Sequence, residues 1–189
     1  MKRVAFRNLT SIGYTDDEIK AIASEYTVQD GPNDAGEMFD RPARPSDRLP
    51  SPFANDNAAK SANNGALPPD LSLIIKARHG GAGYVYGIFT GYGAAPSDRQ
   101  LMDGQYWNAH MAGNVIAMPP PLSDGQVSFE DGSPEKVPQY AKDVATFLTW
   151  AAEPEMEARK QTGVKVILFM AIFALMLYGV KRKIWAKLH

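Results

Sequence analysis

The spacing of apolar positions changes several times along the 189 residues. Thr15-Asp16-Asp17-Glu18 reads as a capping box, in which the Thr hydroxyl caps a first helical turn and the Glu carboxylate reaches back. Behind it Ile19, Ile22, Ala23 and Tyr26 recur at helical spacing, so a helix is expected to end near Val28. From Gln29 to Asn64 the pattern dissolves into a segment rich in Pro, Gly and Asp, expected to be irregular. Met38, Phe39, Leu49 and Phe53 give that segment apolar anchors, as in a loop that wraps a ligand or meets a partner. Asp70 should cap a second helix whose apolar face is Leu71, Ile74 and Ile75 and which Gly80-Gly81 ends. Tyr84 to Tyr92 fits strand or helix equally, and residues 91–114 read as loop. Val115 to Met118 runs straight into Pro119-Pro120-Pro121, which places Met118 just ahead of a rigid extended segment. Gln126 to Ser133 suggests a small hairpin turning at Asp131-Gly132. Val137, Tyr140, Ala141, Val144, Phe147, Leu148 and Ala151 repeat with helical periodicity, and Pro154 should kink that helix.

The last change of pattern is the strongest. Gly163 to Val180 is an 18-residue apolar run with one charge, Lys165. As a helix it would be about 27 Å long, close to the hydrocarbon thickness of a bilayer. Lys181, Arg182, Lys183 and Lys187 follow, with Trp185 suited to the headgroup region. Basic residues stay inside, so the expected arrangement is a body at 1–162 outside, a span at 163–180 and a cytoplasmic tail at 181–189. An export signal is missing from the start: Met1-Lys2-Arg3 carries the charge but no apolar run follows. A large outward body without such a signal is expected from a chain read from an internal methionine.

Charge and composition narrow the function. Five of the 20 basic residues fall in the last 27 positions without an acid among them, so the first 162 carry 15 basic and 21 acidic residues, a net of −6. That body is wrong for nucleic acid, which needs a basic face, and compatible with a basic partner protein. There is no cysteine, which excludes disulfides, thiolate catalysis, iron–sulfur clusters and thioether attachment of a heme. Three histidines leave little room for a multi-histidine metal site. Nucleophile elbows, zincin motifs and phosphate loops are all missing. His79, at the end of the second helix, suits the helix dipole. Met118 has two readings. It is either one more core-filling methionine among eight, or an exposed thioether on a stiff loop, a good soft ligand for heme iron.

Several long motifs bear on that choice. They are YTVQDGPND (26–34), RPSDRLPSPF (44–53), NNGALPPDLS (63–72), ARHGG (77–81), FTGY (89–92), IAMPPPLSDGQV (116–127) and AKDVATFLTWAAEPEMEARK (141–160). With VKVILF at 164–169 and KRKIWA at 181–186, the chain resembles the cytochrome c1 family in its bacterial form along essentially its whole length. The resemblance implies a mostly α, cytochrome c-like domain with long loops, a small hairpin and one carboxy-terminal transmembrane helix in the inner membrane. It implies the heme subunit of a quinol–cytochrome c oxidoreductase, the bc1 complex, not catalytic alone. Such a subunit passes electrons from the Rieske iron–sulfur protein to a soluble or membrane-held cytochrome c, beside cytochrome b. Heme c is the implied cofactor. By match to the family's motifs, Met118 is the axial methionine, Asn63, Leu67, Pro68 and Pro69 line the heme, Arg78 pairs with a propionate, and Tyr84 is an aromatic of the same pocket. Two departures stand out. The family's CxxCH attachment motif, with its axial histidine, is missing, as expected if Met1 lies just downstream of it; the alternative is a heme-less structural subunit that docks on the complex. Gly104 to Asn114 also lacks the proline the family carries before the methionine loop, which leaves the loop near His110 open.

Overall fold

The computed structural model describes residues 3–186. Met1, Lys2, Lys187 and the end of the expected tail, 187–189, lie outside the described residues. The chain is mostly α and divides into two compact units, 1–153 and 154–189.

In the first unit a 3-10 helix, Phe6–Ile12, is followed by α1, Asp16–Ser24. The capping box that starts α1 forms as expected: the Glu18 N–H donates to Thr15 Oγ1 (3.4 Å) and the Thr15 N–H to Glu18 Oε2 (2.8 Å). α1 stops at Ser24, earlier than expected, because Val28 belongs to a strand, β1, Thr27–Asp30. β1 pairs antiparallel with β2, Phe39–Pro42, in register Thr27 to Pro42. The segment expected to be irregular thus holds a strand pair, and further on a short helix, α2, Asp56–Ala62, capped by the Asn55 side chain. Neither is visible as periodicity, because β1 and β2 are largely exposed and α2 buries only Ala59. Arg41 holds the pair together. Its guanidinium bonds Asp30 across the strands and both oxygens of Asp47 (2.6 and 3.1 Å) beyond them. Phe6, Ile19, Ala23 and Ala43 form the buried cluster under these elements, flanked by Leu9, Ile22, Val28 and Leu49.

The second cluster lies under the other helices. The expected helix after Asp70 is only a 3-10 turn, Leu71–Leu73, and one α turn, α3, Ile74–Ala77. Asp70 does cap it, accepting from the Ser72 N–H at 3.1 Å. The ambiguous aromatic run is helical, α4, Ala82–Thr90. α4 packs on α5, Val137–Ala152, through Val85, Ala145 and Leu148, with Ile74, Ile75, Tyr84, Phe89 and Val144 around them. Phe147, expected on the buried face of α5, points outward and meets the Trp150 ring in a tilted pair, 5.5 Å between centroids. Between α4 and α5, residues read as pure loop include β3, Tyr106–Trp107, which pairs antiparallel with β4, Val115–Ile116.

The hairpin expected at 126–133 does not form. Among the described residues strands occur only in β1 to β4. Asp131 does make a turn, accepting from the Ser133 N–H (2.9 Å). The backbone of Val127 is used otherwise: its N–H donates to the Tyr140 hydroxyl (3.1 Å), which donates to the Val127 carbonyl (2.6 Å). A strand partner would need those same groups.

Pro154 ends the helical ladder rather than kinking it: α5 closes at Ala152 and α6 opens at Met156. α6, Met156–Trp185, makes up most of the second unit, and 163–180 is its middle. It is long and apolar enough to cross a membrane. Thirty residues make about 45 Å of helix, more than the ~30 Å of a hydrocarbon core, so charged turns remain at each end. Lys181 Nζ lies over the Trp185 ring at 5.1 Å from its centroid.

Candidate functional site

The residues singled out from the sequence fall into two groups. The first lines a cleft of ≈ 570 Å³ between the segment that enters α2 and the segment that leaves it. Leu67, Pro68, Pro69 and Leu71 supply part of its wall, and Phe53, Ala54 and Ala59 line it too. Two prolines in succession supply no N–H that would need a partner, so this wall stays apolar without a backbone penalty. Leu67 is half exposed, at 46%, a large apolar side chain turned to an open concavity rather than to the core. Asn63 does not line the cleft. It is the C-cap of α2, and its Nδ2 donates to the carbonyl of Ala59 (2.7 Å), which fixes the end of the helix that does.

The second group is not part of that cleft. Tyr84, on α4, is half-buried against the second cluster, and its hydroxyl donates to the Met111 sulfur (3.6 Å). Arg78 is exposed just after α3, with its guanidinium on the neighbouring Ala77 carbonyl (3.0 Å). Among the described residues it makes no ion pair. Met118 follows β4 in an irregular segment, is 37% exposed, and is held by its backbone: the Tyr92 hydroxyl donates to the Met118 carbonyl (3.1 Å). Burial raises the pKa of that hydroxyl, so it remains a donor across the ordinary range.

Sequence reasoning passed over the residues that hold the Met118 loop. Asn108 is fully buried. Its Nδ2 donates to the Ile88 carbonyl (2.7 Å) near the end of α4, and its Oδ1 accepts from the His110 N–H (3.0 Å). The His110 ring approaches the last turn of α4 and its C-cap, Gly91, closely. A Cβ at Gly87 would come within 2.8 Å of its Cγ, and one at Gly91 within 2.8 Å of its Cδ2. Two glycines one helical turn apart were the available signal, because that spacing marks a backbone face that another group approaches closely.

The chemistry of these residues fits a heme in part. An apolar cleft of this size accepts an aromatic macrocycle, and Met118 offers the soft sulfur donor that heme iron takes. Covalent attachment does not fit, because a thioether bond needs a thiol and the chain has none. Among the described residues no group of three or more His, Asp or Glu side chains could hold a metal ion.

The chain is similar to known proteins along almost its whole length. The model of the Cytochrome C1 family matches residues 1–188. A cytochrome b/c1 from Bradyrhizobium diazoefficiens is 48% identical over 98% of the chain, which spans 30% of that protein. The mitochondrial heme protein cytochrome c1-2 of Solanum tuberosum is 48% identical over the whole chain, which spans 72% of its length. A cytochrome c1 from Rhodospirillum rubrum is 45% identical over 98% of the chain, which spans 74% of it.

Proposed function

Because the chain belongs to the cytochrome c1 family, we propose that it is the electron-carrying subunit of a quinol–cytochrome c oxidoreductase. In this reading it works beside cytochrome b, accepts electrons from a Rieske iron–sulfur protein and delivers them to a soluble or membrane-held cytochrome c. It is a carrier, not an enzyme on its own. When bound, heme supplies the one-electron chemistry. The chain's own residues do the rest. Leu67, Pro68 and Pro69, with Phe53 and Leu71, give a ring system an apolar seat and keep water from it. Asn63 holds the α2 end of that seat. Arg78 offers a guanidinium with no ion-pair partner among the described residues, suited to a propionate. Tyr84 adds an aromatic face next to the second cluster. Met118 offers the thioether, and a sulfur ligand raises the potential at which the iron accepts an electron.

The observation that carries the reading is the family match along 1–188. In the same reading α6 anchors the chain in the inner membrane. Lys181, Arg182 and Lys183 at its end favour a cytoplasmic C-terminus and a periplasmic body.

Affinity purification of the tagged chain from detergent-solubilised membranes of its source organism tests this. The expected result is recovery with a cytochrome b and a Rieske protein, and a reduced-minus-oxidised spectrum with heme c absorption. Recovery of the complex without that absorption would favour a heme-less structural subunit. Recovery of the chain alone would overturn both readings.

A further inference from the structure

Met118 lies in an exposed stretch ahead of three prolines, yet its position is not left to the loop. Two routes lead to it from the end of α4. The short route is one hydrogen bond from the Tyr92 hydroxyl to the Met118 carbonyl (3.1 Å). The long route starts at the Ile88 carbonyl, one of the acceptors a helix end leaves unsatisfied, which takes the Asn108 Nδ2 (2.7 Å). Asn108 and Tyr92 also face each other in an isolated antiparallel bridge, and the Ala109 N–H donates to the Gly91 carbonyl (2.9 Å). Asn108 follows directly on β3, whose partner β4 ends two residues before Met118. The loop between the strands is closed by the Asn108 N–H on the Asn114 carbonyl (2.9 Å). His110 packs so closely on Gly87 and Gly91 that a Cβ at either would meet its ring at 2.8 Å.

We propose that Asn108 and Tyr92 are positioning residues for the Met118 thioether, a clamp that ties its loop to the end of α4. This rests on the reading of Met118 as the sulfur donor to heme iron. The clamp uses both ends of a fully buried carboxamide, where an unpaired group would be costly. It therefore has one satisfied arrangement, and that arrangement fixes the backbone from which the sulfur projects. Neither residue touches the iron; each acts through Met118.

The test uses the full 189-residue chain in detergent micelles with ¹³C-methyl methionine, for the unsubstituted protein and for Tyr92→Phe, Asn108→Ala and Met118→Ala. Tyr92→Phe removes only a hydroxyl and serves if Asn108→Ala fails to fold, as judged by helical circular dichroism. Without any heme, the clamp variants should shift and narrow the Met118 methyl resonance and leave those of Met38 and Met102 in place. An unmoved Met118 resonance overturns the proposal. Hemin is then added and the sulfur-to-iron charge-transfer absorption recorded. Met118→Ala should abolish it and the clamp variants should weaken it several-fold. If Met118→Ala changes nothing, or hemin does not bind, the site reading fails and the methyl spectra still decide the clamp. If Met118→Ala abolishes the band and the clamp variants keep it in full, the site reading stands and the clamp is overturned.

Discussion

Asp47 has a sharply defined environment in the first unit. Both its oxygens accept from the Arg41 guanidinium, and Oδ2 also takes the Arg44 N–H (2.7 Å). Those bonds, Arg41 first, lower its pKa from the ordinary 3.8 to about 2. A carboxyl held low in the folded state adds stability that is complete above its unfolded pKa and is lost as pH falls through the folded one. Acid unfolding should therefore show a component between about pH 4 and pH 2, and Asp47→Asn should remove it; equilibrium denaturation at pH 7, 4 and 2.5 checks this. Gly91 is a second single-residue test. A Cβ there would lie 2.7 Å from the Gly87 carbonyl oxygen and 2.8 Å from Asn108 Oδ1. Helix backbone cannot give way cheaply, so Gly91→Ala should destabilise by about 1–3 kcal/mol, the range for overpacking. Gly93→Ala, where a Cβ meets nothing within 4 Å, is the control, and a chemical denaturation midpoint for each reads the difference.

Among the elements, α5 shows what a sequence pattern can and cannot carry. Tyr140, Ala141, Leu148 and Ala151 are buried where the periodicity puts them. Leu148 is 2% exposed in the middle of the second cluster, so Leu148→Ala should cost about 2–5 kcal/mol, the range for emptying a buried leucine site. Thermal unfolding of the micelle-bound chain measures it. Phe147 satisfies the same periodicity and faces outward, because a helical stripe is broader than the surface that covers it. The capping box of α1 was legible because its partners are three residues apart. β1 and β2 were not. Their exposed positions alternate weakly, and the side-chain contact added to their backbone pairing, Arg41 reaching to Asp30 and Asp47, is set by tertiary structure. The hairpin read at Asp131-Gly132 failed for a related reason: the turn is real, but Tyr140, in a later element, takes the backbone groups of Val127. The site divides in the same way. Leu67, Pro68 and Pro69 are adjacent in sequence and share a wall. Asn108 and Tyr92 come together only because β3 folds back on the end of α4.

At the scale of the whole molecule, two outcomes follow from composition and charge. Expressed alone, the chain should run on a denaturing gel without a heme-stained band at its mass, since it has no thiol to form a thioether. Electron delivery to a basic acceptor should slow as salt rises, because the −6 body steers charge over about 8 Å at physiological ionic strength. Among the acids around the β1–β2 turn, Asp30 is already paired with Arg41. Asp34 and Glu37 remain on the exposed turn between β1 and β2, which Asn33 braces by accepting from the Ala35 and Glu37 N–H groups (3.0 and 2.9 Å). Neutralising both should lower the rate at low salt and flatten its salt dependence; stopped-flow kinetics at two ionic strengths checks this.

The bond from Trp150 Nε1 to Ser11 Oγ (2.7 Å) joins residues 139 positions apart. During synthesis at ~5–20 residues per second, the Ser11 hydroxyl waits roughly 7–28 s for its tryptophan. The first cluster has no such delay, since its innermost members end at Ala43 and its flanking residues at Leu49. The N-terminal segment is therefore an early-finished module with a late-arriving fastener. Refolding should show two clocks, a fast one set by the module and a slower one, seen in Trp150 fluorescence, set by this long-range closure.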